Sequence, residues 1–300
     1  MGAFDNVVGV LLLGLFFNTY LYGICTSQLM EYLGHKFKDS VWIRGTVASL
    51  FFLDTVHSAV AIYSAWDMCV TNYNNPASLA YVGWTIPFTA VATSCAAILS
   101  QVFLAHRVFL LTKNKLLFAL IAFISALGFI FGCIAGVKSG IINAVAKFGP
   151  LGPYVTAWLA FQTSADLLIT LCLTVALWRS KTGFRSTDTI INRLIGGAVR
   201  TGLFASIFAL ADLFSFLLHR DTNLYAMFAY PIGRIYTNTL LHTLNSRSSM
   251  KMRGAVVDSD NMRMSMRNVP GQSQIVSSGS VFIRKDVVTV DDRSEVEQKI

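Results

Sequence analysis

The sequence has 300 residues, of which 54% are hydrophobic and 13% are charged, whereas soluble domains are about a quarter charged. The formal net charge is +8, but the basic residues lie in short clusters between long uncharged runs. They do not form the aromatic-interleaved basic stripes that are typical of nucleic-acid-binding proteins. The composition therefore argues against a soluble domain and a nucleic-acid partner, and it favours a lipid bilayer.

Seven apolar runs are each long enough to cross the hydrocarbon core of a membrane, which takes about 20 residues as a helix. In chain order these predicted spans are 7–30, 45–64, 84–105, 116–137, 154–178, 194–218 and 224–244. The predicted fold is therefore all-α, a polytopic membrane protein whose residues 1–245 form a bundle of seven transmembrane helices. Such a multi-pass protein belongs in the plasma membrane or an endomembrane.

The basic residues predict how this bundle is oriented. The loops after spans one, three and five hold ten lysines and arginines, and the loops after spans two, four and six hold three. The more basic side of a multi-pass protein faces the cytoplasm, so we expect the N-terminus outside and the C-terminus inside. Residues 246–300 are polar and have no apolar period, which predicts a disordered cytoplasmic tail.

Ionisable side chains lie inside several predicted spans. They are Asp54 and His57 in span two, Asp166 in span five, Asp212 in span six and Arg234 in span seven. A charged side chain that faces lipid costs roughly 2.5 to 3.5 kcal/mol, so we expect all five to face the bundle interior. They are candidates for a ligand, ion or proton site, and a structural ion network fits the same pattern.

Two sets of contacts follow from this placement. Asp54 and His57 should meet polar groups of helices one, three or seven. Arg234 cannot readily lose its proton, so it should pair with Asp166 or Asp54, because Asp212 lies nearer the outside. We predict no metal site, since zinc needs three or four ligands and this depth offers a single histidine. A membrane metal hydrolase is accordingly the least favoured function.

Glycine recurs at every fourth residue from the middle of span four, at Gly128, Gly132, Gly136 and Gly140. This spacing puts a groove on one helix face, where a neighbouring helix can approach closely. The groove can serve packing within the bundle or homodimerisation through helix four, and the pattern alone leaves both open.

The sequence contains no G-x-S-x-G, H-E-x-x-H or P-loop motif, so we expect a protein without catalytic residues that is not an enzyme. No lysine lies within a predicted span, where a retinal protein would need one, and we expect no cofactor. Two functions remain open. One is a receptor-like sensor that signals to a cytoplasmic partner through loops three and five and the tail. The other is a transporter or channel for a small solute or proton that uses Asp54, Asp166 and Arg234.

Several segments of the second half are similar to one family, namely "DLL" at 166–168, "KTGFRSTD" at 181–188, "INRLI" at 191–195 and "IYTNTLLHTLNSR" at 235–247. With "LDTVH" at 53–57 they resemble the seven-helix membrane proteins of mushroom-forming (basidiomycete) fungi that share a C-terminal domain of unknown function of the DUF6534 type. The resemblance places that domain at 166–247.

The resemblance implies the seven-helix fold and its topology but no activity, because none is established for the family. It also implies a shared cytoplasmic surface in loop five, formed by Thr182, Gly183, Phe184, Arg185, Asp188, Asn192 and Arg193. Ser186 or Thr187 is expected to cap the helix that continues into span six.

Overall fold

The computed structural model describes residues 5–35, 38–73, 75–142, 144, 147–181, 185–218 and 224–267. Within these ranges the regular structure is helical, apart from an isolated antiparallel bridge between Tyr81 and Ala144. The helices are α1 (Val10–Gly34), α2 (Val41–Trp66), α3 (Thr85–Thr112), α4 (Lys115–Ile142), α5 (Gly152–Arg179), α6 (Arg185–Leu218) and α7 (Leu224–Arg267). The predicted all-α fold is thus confirmed for the described residues.

Local sequence explains how neighbouring helices are separated. Ser40 precedes α2, and its hydroxyl accepts a hydrogen bond from the backbone nitrogen of Ile43 at 3.5 Å. Between α3 and α4 the chain turns through Lys113, whose φ of 55° lies in the left-handed region. The Asn114 side chain then accepts from the backbone nitrogen of Leu116 at 3.0 Å and so caps α4. Short polar segments therefore suffice to end one helix and start the next.

Six stretches of the described chain are long and apolar enough to cross a membrane. They are Val7–Gly34, Val41–Thr71, Thr85–Thr112, Lys115–Ile142, Gly149–Arg179 and Leu194–Leu218. Their outer faces carry large apolar side chains that are more than half exposed, among them Phe16, Phe52, Phe123, Leu171 and Ile207. Because such faces are stable in lipid and costly in water, the helices are those of a membrane-embedded protein.

The seventh predicted span falls on the first part of α7, which is not among these six stretches. Polar residues such as Arg234 and Asn238 lower its hydropathy. Every residue from 230 to 237 is buried, so Arg234 lies inside the bundle, and Asn238 is partly buried.

The largest core cluster joins residues of six helices, among them Tyr32 of α1. It also contains Leu50 of α2, Val108 of α3, Ile121 of α4, Ile169 of α5 and Leu240 of α7. Each of these last five side chains is at most 2% exposed. The helix α3 packs directly against α2, α4 and α5, which places it at the centre of this part of the structure.

The glycine groove of α4 is filled by α3 and α5. A Cβ atom added at Gly132 would overlap Ser94 Oγ, and one at Gly136 would lie 3.0 Å from the Pro87 carbonyl oxygen. At Gly128 it would lie 3.4 Å from the backbone nitrogen of Gln162, and at Gly140 3.1 Å from Pro87 Cγ. The groove therefore serves packing within the bundle. A homodimer through helix four stays a prediction, and it would have to use another face of this helix.

Two boundaries differ from the sequence-based expectation. The helix α6 is described from Arg185, so the predicted capping residues Ser186 and Thr187 fall within its first turn. The helix α7 continues to Arg267, where the sequence predicted a disordered tail from 246. An existing helix extends without a new nucleation step, which explains the continuation. Residues 268–300 of the predicted tail lie outside the described residues. The chain divides into two compact units, Met1–Val257 and Asp258–Ile300.

An ion pair fastens the segment before α2 to α7. The Arg247 guanidinium donates to both carboxylate oxygens of Asp39, each at 2.8 Å, and the Tyr32 hydroxyl donates to the same carboxylate at 2.8 Å. These bonds, led by those from Arg247, hold the pKa of the Asp39 carboxyl below its usual value. The pair is therefore charged at neutral pH.

We predict that Gly132→Ala destabilises the protein by about 1 to 3 kcal/mol, because the added methyl overpacks the contact of α4 with Ser94. The measurement is the melting temperature in detergent. The control is Gly23→Ala in α1, where an added Cβ meets nothing within 4 Å. That change should be neutral or stabilising, because alanine is the better helix former. Equal effects of the two changes would contradict the packing described for α4.

Candidate functional site

Arg234 of α7 is held by a single turn of α2. Its side chain is completely buried, and Nη2 donates to the Asp54 carbonyl oxygen and to Ser58 Oγ, each at 2.8 Å. Nη1 lies 2.6 Å from His57 Nδ1 and 3.8 Å from Asp54 Oδ1. The Arg234 cluster, which we define as Arg234, Asp54, His57 and Ser58, therefore combines an ion pair with three shorter hydrogen bonds.

The contact with Arg234 fixes the tautomer of His57. A guanidinium has no acceptor, so Nδ1 must accept and Nε2 must carry the proton. His57 Nε2 then donates to Thr89 Oγ1 of α3 at 3.2 Å, which joins three helices through one imidazole. The prediction that Asp54 and His57 meet polar groups of helices three and seven is confirmed, and so is the pairing of Arg234 with Asp54.

The alternative partner, Asp166 of α5, belongs to a separate network. Gln101 Nε2 donates to its Oδ1 at 2.8 Å, and the Tyr236 hydroxyl donates to its Oδ2 at 2.7 Å. Arg234 and Tyr236 are two residues apart, so they point in directions about 200° apart around α7. Arg234 therefore faces α2 and Tyr236 faces α5, so of the two predicted partners Arg234 pairs with Asp54 and not with Asp166.

The Asp166 network extends along α5 towards its N-terminal end. Gln162 Nε2 donates to the Tyr236 hydroxyl at 2.7 Å, and Trp158 Nε1 donates to Gln162 Oε1 at 2.7 Å. All five side chains of the network, Asp166, Gln101, Tyr236, Gln162 and Trp158, are less than 8% exposed. A continuous chain of hydrogen bonds thus runs from Trp158 to Asp166.

A cavity of about 110 Å³ lies at the Trp158 end of this chain. Trp158 and Gln162 form part of its wall, and Asp212 of α6 is the one charged residue that lines it among the residues the structure describes. The remaining wall is largely apolar, with Tyr225 and Tyr230 among its aromatic groups. We call this space the Asp212 cavity. A salt bridge to Asp212 is absent from the described residues.

A larger cavity of about 250 Å³ lies at the Asp166 end. Asp166 and Tyr236 line it, and so do Arg107 of α3, His242 of α7 and Glu31 of α1. We call this space the Arg107 cavity. Gln162 lines the first cavity and donates to Tyr236, which lines the second. One hydrogen bond therefore connects the walls of the two cavities.

The structure thus divides the predicted site residues into two groups. Asp54, His57 and Arg234 come together, but they line neither cavity. Asp166 and Asp212 line one cavity each. Sequence reasoning missed Tyr236 and Trp158, which read as ordinary aromatic residues of a span, and it counted Arg107 as a loop residue.

The loop-five residues lie at the start of α6 or just before it. Thr182, Gly183 and Phe184 are outside the described residues. Arg185, Asp188, Asn192 and Arg193 belong to the first turns of α6, where Asn192 is exposed and Asp188 partly buried. Among the residues that the structure describes, no group of three or more His, Cys, Asp or Glu side chains is placed to hold a metal ion.

We predict that Tyr236→Phe lowers the stability by about 1 to 3 kcal/mol, because it leaves Asp166 Oδ2 and Gln162 Nε2 without their shared partner. The matched control is Tyr20→Phe, since the Tyr20 side chain is 70% exposed and its change should leave the melting temperature unaltered. A Tyr236→Phe variant as stable as the wild type would contradict the network.

Comparison with known proteins finds one segment of the chain similar to a family model. Residues 162–249 match the model described as "Family of unknown function (DUF6534)", which confirms the predicted domain and extends it by a few residues at each end. The matched segment contains Asp166, Asp212, Arg234 and Tyr236, whereas Asp54 and His57 lie before it. No curated protein and no solved structure matches the chain. The match therefore covers Asp166, Asp212 and Tyr236 but only Arg234 of the Arg234 cluster, and it assigns an activity to none of them.

Proposed function

We propose that the protein is a receptor-like membrane sensor, non-enzymatic, with its ligand site in the Asp212 cavity. The observation that carries this proposal is the hydrogen bond between Gln162, in the wall of that cavity, and Tyr236, in the wall of the Arg107 cavity. A ligand that displaces Gln162 must change the partners of Tyr236 and then of Asp166. Occupancy of one cavity is thereby communicated to the other.

The proposed topology has seven spans, with the N-terminus outside and the C-terminus in the cytoplasm. Six stretches have the length and hydropathy of spans, and the burial of residues 230–237 supports α7 as a seventh that is shielded from lipid. The distribution of lysine and arginine supports the orientation. The Asp212 cavity then faces the outside of the plasma membrane or the lumen of an endomembrane, and the Arg107 cavity faces the cytoplasm. This arrangement is that of the fungal seven-helix proteins that the sequence resembles.

The Asp212 cavity indicates the chemistry of the ligand. Its volume of about 110 Å³ is somewhat below that of an engineered cavity of about 150 Å³ that holds benzene. A mostly apolar wall with a single carboxyl group suits a small apolar molecule that carries an amine. The ammonium group would sit on the Asp212 carboxylate, and its hydrocarbon part would pack against Trp158 and Tyr225.

The signal would leave through the other side of the bundle. The Arg107 cavity is bounded by α3, α5, α6 and α7, whose ends border loops three and five and the tail. A cytoplasmic partner that contacts these segments would detect a rearrangement of Tyr236 and Asp166.

A second function is favoured by one specific observation. The two cavities approach the same hydrogen-bonded layer from opposite ends, and each is lined by a carboxyl group, Asp212 in one and Asp166 in the other. This arrangement also suits a transporter or channel for a proton or a small solute. Proton flux into liposomes that contain the purified protein, if it is abolished by Asp166→Asn, would establish this alternative in place of the sensor.

We predict that butylamine raises the melting temperature of the wild-type protein saturably and that butanol, which has the same length and no charge, does so far less. Asp212→Asn keeps the size of the side chain and should weaken the effect of the amine about tenfold or more, which corresponds to at least about 1.4 kcal/mol. Equal responses to the two compounds, or an unaltered response in Asp212→Asn, would contradict the proposed site.

Coupling between the cavities can be measured by the rate of thiol labelling in the Arg107 cavity. A cysteine introduced at Thr243, which lines the Arg107 cavity, should change its rate of thiol labelling when butylamine binds. The same cysteine in a Tyr236→Phe background should not respond. A change that persists without the Tyr236 hydroxyl would mean that the signal takes another route.

The topology predicts the side on which each end of the chain lies. A reporter fused after Ile300 should be cytoplasmic, and one fused before Met1 should be extracellular or lumenal. Protease protection of the two reporters in sealed vesicles measures this directly. Both reporters on the same side would rule out an odd number of spans.

A further inference from the structure

Arg107 presents a free guanidinium to the larger cavity. It extends from the last part of α3 and lines the Arg107 cavity. In the part of the chain that the structure describes, it has neither a hydrogen bond from its side chain nor an ion pair. An arginine remains charged at any physiological pH, so its five donors require an anion or water.

The carboxylates around this cavity already have other partners. Glu31, which shares the cavity wall, accepts from Asn245 Nδ2 at 3.4 Å and lies 3.6 Å from His35 Nε2. Asp39 is bound at both oxygens by Arg247. Neither carboxylate forms an ion pair with Arg107 among the described residues.

Asp166, which lines the same cavity, forms no ion pair with Arg107 among the described residues. Both of its oxygens are taken, by Gln101 and Tyr236. Arg107 follows Gln101 by six residues on α3, which places it about 9 Å further along the helix axis at 1.5 Å per residue. Asp166 and Arg107 are thus separated along the bundle within one cavity.

A second basic group lies at the level of Arg107. His242 follows Tyr236 by six residues on α7, as Arg107 follows Gln101 on α3, and it lines the same cavity. The hydroxyl residues Thr201, Thr243 and Ser246 complete this part of the wall. Arginine, histidine and hydroxyl groups around one space are the groups that proteins use to bind carboxylate and phosphate.

We propose that the Arg107 cavity is a binding site for a small oxyanion, a carboxylate or phosphate group, that is bound by Arg107 with help from His242. The planar guanidinium binds two oxygens of such a group at once. A volume of about 250 Å³ accommodates a small organic molecule that bears the group and is larger than the bare ion. This site is separate from the Asp212 cavity, and its existence does not depend on the sensor function.

The test uses the full-length protein in an uncharged detergent, with inorganic phosphate as the probe and chloride added to keep the ionic strength constant. The wild-type melting temperature should rise saturably at low millimolar phosphate. Arg107→Gln should weaken the apparent affinity about tenfold or more, and Arg107→Lys should weaken it less, because the charge remains and the planar fork is lost. The matched control is Arg179→Gln, an exposed arginine at the end of α5, which should respond as the wild type does.

The controls separate specific binding from a general salt effect, since phosphate stabilises many proteins by exclusion from their surfaces. An unsaturable response, or the same response in wild type and Arg107→Gln, overturns the proposal. If Arg107→Gln does not fold, His242→Gln takes its place. His242 is exposed enough to tolerate the change, and a several-fold loss of affinity is expected; an unaltered affinity in that variant overturns the proposal as well.

The oxyanion can come from a soluble molecule or from a lipid headgroup, and nanodiscs distinguish these sources. In nanodiscs of phosphatidylcholine alone, a response to added phosphate identifies a soluble ligand. A stabilisation that requires phosphatidic acid in the disc and is lost in Arg107→Gln identifies a headgroup. Absence of both responses overturns the site.

Discussion

The structure depends on one constraint, which is that the charge of Arg234 has to be satisfied at the centre of an apolar bundle. Arginine keeps its proton, and its position far from either helix end prevents the side chain from reaching water. The solution is one turn of α2, where Asp54, His57 and Ser58 provide two side-chain acceptors, a backbone carbonyl and a carboxylate. Removing one partner of such a buried pair typically costs about 3 to 5 kcal/mol. The Arg234 cluster therefore links α2, α3 and α7 through hydrogen bonds.

Because Arg234 is satisfied by α2, the other polar groups of the interior do not have to neutralise its charge. Tyr236, two residues further along α7, faces away from the Arg234 cluster and joins α7 to Asp166 of α5. The cavities lie on either side of this second network, and the Arg234 cluster lines neither of them. On one face of α7, Arg234 stabilises the packing against α2. On the other face, Tyr236 joins the hydrogen-bond network between the two cavities, where the proposed function lies.

The hydrophobic pattern predicted the all-helical fold and the apolar helices that suit a membrane. Seven apolar runs fall on seven described helices, because helix length and polarity in a bilayer follow directly from composition. The pairing of Arg234 with Asp54 was one of two possibilities, since depth in the membrane can be counted from the sequence but the rotation of a helix cannot.

The cavities could not be predicted at all. They arise where side chains of neighbouring helices fail to fill the space between them, and such gaps leave no periodic signal. The continuation of α7 to Arg267 was missed for a different reason, because polar composition indicates exposure to water and does not by itself exclude a helix.

The most direct test of this account is a double-mutant cycle on the melting temperature with Arg234→Leu, Asp54→Leu and Asp166→Leu. The account predicts that Arg234→Leu and Asp54→Leu are each strongly destabilising and that their combination recovers part of the loss. The effects of Arg234→Leu and Asp166→Leu should simply add, because these two residues belong to different networks. Strict additivity for Arg234 and Asp54, or coupling of Arg234 to Asp166 in its place, would contradict the central role assigned to the Arg234 cluster.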